Sequence, residues 1–256
     1  MPVSADKLER EREAFAGDGA LAASRGRIQT ILDHVYHGPN GIRAQRDFEA
    51  IVAAHAPGRS VLEVGCGTGW NCGRILRLGA REVVGIDISD DLIARAQAHA
   101  GPHVTIYRHD VHQPIEGRFG LVLGRAVLHH VDYQTVLARL YADNLEPGGL
   151  MAFMEPLGSG LVSRAYWRFG TRFHTEDERP FYRSDLHWLR ARFPGFEFRP
   201  YGYLSFPLSV VSAALFEQPI NPLSRATDAI DQWLADHAPW LGPNFRTSIF
   251  VIRKPA

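Results

Sequence analysis

The stretch from Val61 to Gly69 constrains the fold of this chain more than any other segment. It reads VLEVGCGTG, a short apolar run that contains one acidic residue and ends in three alternating glycines, and a helical pattern follows from Trp70. A short apolar run bounded in this way indicates a buried strand, and the pattern after it indicates a helix N-terminus. Glycine permits positive φ and the close approach of a ligand, which would face the N–H groups of the helix start. The stretch therefore predicts a strand–turn–helix unit that binds a nucleotide-like ligand.

Further apolar runs follow at intervals typical of an alternating α/β fold. They lie at residues 82–87, 104–107, 121–123, 150–154, 196–203 and 247–252. Asp87 ends the second run, about 20 residues after Gly65, where a carboxylate can accept hydrogen bonds from both hydroxyls of a ribose. The dinucleotide fingerprint G-x-G-x-x-G would place its third glycine at Trp70, and tryptophan is too bulky for close helix–strand packing.

The order of these features resembles the class I S-adenosylmethionine (SAM) dependent methyltransferases. The resemblance rests on E-x-G-x-G-x-G from Glu63, on Asp87, on Asp110 after the third strand and on Pro147-Gly148-Gly149 before the fifth. It implies an α/β fold with a Rossmann-like, seven-stranded, mostly parallel sheet. Helices should cover both faces of the sheet, the last strand should be antiparallel, and helical insertions should form a cap.

The resemblance also implies one methyltransferase domain over residues 1–256. We expect N-terminal helices that act as a lid at 1–57, a SAM-binding core at 58–157, and cap segments with the final strands at 158–256. The similarity is carried mainly by the core, and the other two parts follow the family only in general plan.

SAM is the cofactor that the resemblance implies, and S-adenosylhomocysteine is the expected product. Asp87 would bind the ribose, and Asp110 would meet the adenine amino group, with a backbone contact from Val111. Tyr36 is a candidate for a cation–π contact with the sulfonium, or else it packs at a helix end. The full expected set for the cofactor is Tyr36, Glu63, Gly65, Cys66, Gly67, Asp87, Ile88, Asp110, Val111 and Arg125.

The fourth strand leads into Arg125, His129 and His130, which are the predicted catalytic residues. Ligands of open α/β sheets bind at the carboxyl ends of the strands, so these side chains should lie near the methyl group. A neutral imidazole can take a proton near pH 7, although the pair could equally pack behind the strand. No metal site is predicted, because Asp132 alone is not an acidic cluster and the His-x-x-His spacings lack further ligands.

The composition limits the classes of partner that the chain is expected to bind. The chain has 28 basic and 28 acidic residues and no Lys/Arg block, so nucleic acid is not favoured. Aromatic residues are dense after Leu157, which suits an aromatic or lipophilic small-molecule acceptor. No run reaches the roughly 20 apolar residues of a membrane span. The two cysteines favour a reducing compartment, and we expect a cytoplasmic protein. The sequence does not indicate the oligomeric state.

The expected reaction is methyl transfer from SAM to an oxygen, nitrogen or carbon atom of a small molecule, in specialised or cofactor metabolism. Two alternatives stay open. The chain could be an enzyme that uses another carbon of SAM, by aminocarboxypropyl transfer or cyclisation, or a SAM-binding module without turnover. The products separate these alternatives, since methyl transfer yields S-adenosylhomocysteine and the transfer of the aminocarboxypropyl arm yields methylthioadenosine.

Overall fold

The computed structural model describes residues 29–169 and 178–256. The first half of the expected N-terminal lid lies outside these residues. The strands are β1 (Ser60–Val64), β2 (Glu82–Asp87), β3 (Val104–Arg108), β4 (Phe119–Arg125), β5 (Leu145–Pro156), β6 (Phe196–Tyr201) and β7 (Thr247–Arg253). The α-helices are α1 (Gln29–Tyr36), α2 (Pro39–His55), α3 (Trp70–Arg77), α4 (Asp90–Ala96), α5 (Tyr133–Arg139), α6 (Leu161–Phe169), α7 (Arg183–Arg192), α8 (Ser205–Leu215) and α9 (Pro222–His237).

The seven strands form one sheet in the order β3-β2-β1-β4-β5-β7-β6. Strands β1 to β5 pair in parallel, and β7 runs antiparallel to both β5 and β6. This arrangement confirms the predicted Rossmann-like fold with an antiparallel last strand. The chain order reverses between β1 and β4, and the crevice at such a reversal is where open α/β sheets bind ligands.

Helices cover both faces of the sheet, which explains why the strands read as continuous apolar runs. All five residues of β1 are buried, and neighbours along it belong to different layers. Leu62 packs with Phe153 and Phe250 in the layer that includes α5 and α7. Val61 packs with Phe48 and Ile249 in the layer that includes α2 and α3.

The last two long helices pack against the first two. Helix α8 contacts α1, and α9 contacts α2. A buried hydrogen bond joins His34 Nδ1 and Ser212 Oγ at 2.9 Å, and Arg43 forms an ion pair with Asp228 at 2.8 Å. The C-terminal cap and the N-terminal helices are therefore held together by buried polar contacts as well as by apolar packing. None of the helices in the described residues has both the length and the apolar character that a membrane span needs.

Candidate active site

The glycine turn after β1 adopts a conformation that only glycine accepts without strain. Gly65 has φ +68° and Gly67 has φ +55°. A Cβ atom on Gly65 would lie 2.9 Å from Cγ2 of Val127, whereas one on Gly67 would meet no atom within 4 Å. Gly65 is thus packed against the loop after β4, and Gly67 borders open space. The backbone N–H groups of Gly65 and Cys66 both donate to the carbonyl of Ile86, which fixes the turn to the end of β2.

Glu63 is buried and connects β1 to the helix after the turn. Its carboxylate accepts hydrogen bonds from Asn71 Nδ2 at 2.7 Å and from Cys72 Sγ at 3.1 Å. Burial raises the pKa of Glu63 and outweighs the hydrogen bonds from Asn71 and Cys72, which lower it. This side chain therefore positions α3 against the sheet.

Asp87 is held by the backbone on both sides of the site. Its Oδ2 accepts from the N–H of Gly67 at 2.9 Å, and its Oδ1 accepts from the N–H of Ser89 at 3.0 Å. These two donors fix the carboxylate at the carboxyl end of β2, beside the glycine turn. A carboxylate has about four lone-pair directions, so two remain for a ligand with hydroxyl groups.

Asp110 forms a compact pair with His112. Its Oδ1 accepts from the backbone N–H of His112 at 2.9 Å and lies 2.8 Å from Nδ1 of that ring. The Nε2 atom of His112 accepts from the N–H of Asp132, which fixes the tautomer with the proton on Nδ1. Burial alone would raise the pKa of Asp110, but the hydrogen bonds from His112 outweigh it and lower the pKa. Asp110 is therefore an ionised acceptor with a fixed orientation.

A cavity of about 330 Å³ opens between these groups, at the carboxyl ends of β1 to β4. Its volume lies in the range of small-molecule sites, about 300–1,000 Å³. The residues that line it are Val64, Gly65, Gly67, Ile86, Asp87, Ile88, Leu92, His109, Asp110, Val111, His112, Arg125, Ala126, Val127, His130 and Val131. The glycine turn, both carboxylates, Arg125 and His130 thus border the same cavity, together with apolar side chains.

A buried carboxylate organises the loop after β4. Glu155, at the end of β5, is fully buried and accepts from the N–H groups of Val127 at 3.0 Å and Leu128 at 2.9 Å through Oε1. Its Oε2 lies 2.7 Å from Nδ1 of His129. The short 3₁₀ turn Leu128–His130 is therefore fixed to the sheet by one side chain, and the ring of His129 is oriented by it.

The chain that follows α6 returns to the same loop. The N–H of Arg179 donates to the carbonyl of His129 at 2.9 Å, and Oε2 of Glu178 lies 3.8 Å from Nε2 of His129. The rings of His129 and His130 are 4.1 Å apart between centroids, and Trp167 of α6 meets His129 edge-on at 6.2 Å. Residues from the loop after β4, from β5 and from the cap thus converge on His129.

Comparison with known proteins places this site in a family. A family model described as a methyltransferase domain matches residues 39–198, more than half of the chain. The chain belongs to the class I SAM-dependent methyltransferase family. The matched residues include the glycine turn, Asp87, Asp110 and the loop after β4, which all border the cavity described above.

Two curated relatives are also named methyltransferases. A trans-aconitate 2-methyltransferase of Deinococcus radiodurans is 33% identical over 134 residues, which is 51% of this chain and 51% of that protein. A ubiquinone biosynthesis O-methyltransferase of Bradyrhizobium diazoefficiens is 41% identical over 98 residues, 37% of this chain and 38% of that protein. The chain thus spans about half or less of the length of these relatives.

Solved structures share the methyltransferase fold. The phosphoethanolamine N-methyltransferase 2 of Haemonchus contortus, in complex with SAM, has a TM-score of 0.62 and 18% identity, and the match covers 100% of this chain and 61% of that chain. At this identity the similarity supports the fold and does not extend to the acceptor.

Most of the residues predicted for a methyltransferase site line the cavity. They are Gly65, Gly67, Asp87, Ile88, Asp110, Val111, Arg125 and His130. Glu63, Cys66 and His129 are buried next to it without lining it, and their proposed roles stay predictions. Sequence reasoning missed His109 and His112, although both flank Asp110 at the end of a strand.

Tyr36 is the predicted cofactor residue whose position differs most from its expected role. Its side chain is 45% exposed, and the guanidinium of Arg246 lies over its ring at 5.3 Å. It is not among the described residues that line the cavity. The aromatic face predicted to meet a sulfonium is in contact with an arginine instead. Its contact with SAM stays a prediction.

Proposed function

We propose that this protein transfers the methyl group of SAM to a small-molecule acceptor. The observation that carries the proposal is the cavity at the carboxyl ends of β1 to β4. It combines the glycine turn, the fixed carboxylates of Asp87 and Asp110, and the edge at His130. Membership of the class I methyltransferase family supports the same reaction.

The residues that line the cavity favour one orientation of bound SAM. Asp87 accepts the ribose hydroxyls, because two backbone N–H groups hold its carboxylate at the end of β2. Asp110 and the backbone of Val111 meet the adenine edge, since both follow β3 on the same side of the cavity. The methionine part then lies along the glycine turn, where Gly67 leaves room for close approach. In this orientation the sulfonium methyl group points to the loop after β4.

The acceptor therefore lies beyond Arg125 and His130, under the cap segments of residues 158–256. Methyl transfer needs the acceptor atom in line with the S–CH₃ bond and the exclusion of water. Trp167 and the aromatic-rich cap favour an aromatic or lipophilic acceptor. The names of the relatives that act in ubiquinone biosynthesis support an oxygen atom as the site of methylation. We expect His129 and His130, with Glu155 orienting the ring of His129, to activate that oxygen.

The cofactor part of the proposal is tested by calorimetry with SAM, S-adenosylhomocysteine and NADH. Asp87→Ala removes two hydrogen bonds to the ribose, each worth about 0.5–1.5 kcal/mol, so affinity should fall by roughly 5- to 150-fold. Asp91→Ala is the matched control, because Asp91 is an exposed carboxylate on the neighbouring helix α4. Wild-type affinity in Asp87→Ala, or tighter binding of NADH than of SAM, would contradict the assignment.

The reaction is tested by product analysis. The protein is incubated with methyl-labelled SAM and a panel of hydroxylated aromatic and lipophilic metabolites, and products are identified by mass spectrometry. Labelled acceptor together with S-adenosylhomocysteine is the expected result. Methylthioadenosine would favour chemistry at another carbon of SAM, and tight binding without consumption of SAM by any acceptor would favour a binding module.

A further inference from the structure

Three side chains of metal-ligating type converge at the edge of the cavity. They are His129, His130 and Glu178, and one ligand atom from each lies within 4.8 Å of the other two. Nε2 of His129 is 3.8 Å from Oε2 of Glu178. The side chains of His129 and Glu178 are only 6% and 8% exposed, so these two members of the cluster are shielded from bulk water. His130 lines the cavity, so the cluster also faces the place of a small molecule.

Glu155 gives His129 the orientation of a metal ligand. In the neutral ring, Nδ1–H donates to Oε2 of Glu155, and this leaves the lone pair of Nε2 directed towards Glu178. Glu155 is itself fixed by the N–H groups of Val127 and Leu128. A metal-bound histidine almost always donates its other N–H to such a carboxylate or carbonyl, which fixes the tautomer and raises the basicity of the ligand.

The charges of the cluster favour a cation. Two carboxylates, Glu155 and Glu178, lie on opposite sides of one imidazole, and each is less than a tenth exposed. Buried carboxylates need positive charge or hydrogen-bond donors to offset their lost hydration. A divalent cation at Nε2 of His129 would supply positive charge between the two carboxylates and could bind Glu178 directly.

We propose that His129, His130 and Glu178 bind one divalent transition-metal ion of the Zn²⁺ type, with Glu155 as the supporting carboxylate. Two imidazoles and one carboxylate are a donor set of catalytic zinc sites, which keep a fourth position open. Donors at about 2.0–2.2 Å from a zinc ion are roughly 3.4 Å apart, so ligand atoms that lie up to 4.8 Å apart must approach by at most about 1.4 Å. Because His130 lines the cavity, a fourth position on a bound ion would be open to a small molecule there. This proposal departs from the expectation, drawn from the sequence, that the chain has no metal site.

If the proposed methyl transfer is correct, the site also indicates the acceptor class. A hydroxyl or enol oxygen in the open position would lose its proton to solvent, because a bound Zn²⁺ lowers the pKa of a bound oxygen acid. The oxygen then forms the bond to the methyl carbon. The S–CH₃ bond breaks with its electron pair on sulfur, which gives S-adenosylhomocysteine and the methyl ether. The ion thus replaces a histidine base in this role.

Metal binding is tested on the full-length protein after removal of any histidine tag and of bound metal. Calorimetry with Zn²⁺ and visible absorption with Co²⁺ should each show one tight site per chain. His130→Gln and Glu178→Gln should each weaken binding by at least about 100-fold, and Glu155→Gln by about 10- to 100-fold. His99→Gln and Glu116→Gln are matched controls on exposed positions and should bind like wild type. Thermal unfolding and calorimetry with S-adenosylhomocysteine check that each variant is folded.

The results separate this proposal from the proposed function. Absence of a site tighter than about 1 mM in the wild type, or equal binding by wild type, His130→Gln and Glu178→Gln, overturns the metal site. Methyl transfer that persists at full rate after chelation overturns the role of the ion while the reaction stands. One tight metal site in a protein that transfers no methyl group supports the site and overturns the reaction.

Discussion

Replacement of Glu155 is the sharpest test of how the loop after β4 is held. Its carboxylate is fully buried and accepts three hydrogen bonds, from the N–H groups of Val127 and Leu128 and from Nδ1 of His129. Glu155→Ala leaves these three donors in a place that water does not reach. Glu155→Gln keeps the size of the side chain and one acceptor oxygen but removes the charge.

The expected loss of stability follows from the number and kind of these hydrogen bonds. Hydrogen bonds to charged groups contribute about 1.5–3 kcal/mol each, and removal of one partner of a buried charged pair costs about 3–5 kcal/mol. The three bonds share one side chain and do not add fully. We therefore expect Glu155→Ala to lower the free energy of unfolding by about 3–5 kcal/mol. Glu155→Gln should cost about 1–3 kcal/mol, because its amide oxygen still accepts from the two backbone N–H groups.

The assay is urea unfolding followed by tryptophan fluorescence, with the midpoint and the slope compared between variants. Glu116→Ala is the control, because Glu116 is exposed and its replacement should change stability by less than about 0.5 kcal/mol. A Glu155→Ala variant that unfolds within about 0.5 kcal/mol of the wild type would show that the three hydrogen bonds do not stabilise the loop. The geometric basis of the metal proposal would then fail as well.

Three further outcomes are expected. Gly67→Ala places a Cβ in open cavity space, so calorimetry should show a SAM affinity at least about tenfold weaker. Because the residue keeps φ +55°, urea unfolding should also show a loss of about 1–2 kcal/mol in the free energy of unfolding. Burial raises the pKa of Glu63, so the folded state binds the proton of this carboxyl more strongly than the unfolded state does. The free energy of unfolding of the wild type should therefore fall as pH rises from about 4.3 through the raised pKa. Glu63→Gln should lack this fall when unfolding is measured between about pH 4 and 8. Asp228→Ala removes the carboxylate that accepts from Arg43 and from Asn40, while Asn40 can still donate to Asp231. It should cost about 1.5–3 kcal/mol and increase hydrogen exchange in α2.

The positions of the strands were predictable because the physics that sets them is local. Strands covered by helices on both faces are continuous apolar runs, and such runs mark β1, β2 and β7 in the sequence. The contacts between the first and last helices were not predictable. Asn40, Asp228 and Asp231 are buried there, whereas a reading from hydrophobic periodicity assigns such residues to the solvent-facing side.

The positions of residues proposed for the cofactor were predictable where the backbone alone decides them. Asp87 ends β2 and Asp110 lies two residues after β3, so the parallel topology brings both to one edge of the sheet. The direction of a side chain could not be predicted in the same way, as Tyr36 shows. Its place at the end of α1 follows from the sequence, but the position of Arg246 over its ring depends on the start of β7.

The arrangement of residues around His129 and His130 could not be predicted from the sequence for a further reason. His129 and His130 are adjacent in the chain, but the third potential ligand, Glu178, is distant in sequence. The N–H of Arg179 donates to the carbonyl of His129, and this contact brings Oε2 of Glu178 within 3.8 Å of Nε2 of His129. Phe181 then forms a parallel bridge with Leu157 just beyond β5, which fixes this return of the chain to the sheet. The residues proposed for the cofactor thus lie at strand ends in chain order, whereas the edge proposed for the acceptor is closed by a cap segment that is bonded to the sheet. We expect a change in that segment to alter the acceptor without disturbing SAM, so Glu178 and the cap, rather than the glycine turn, are the places at which acceptor choice should be mapped.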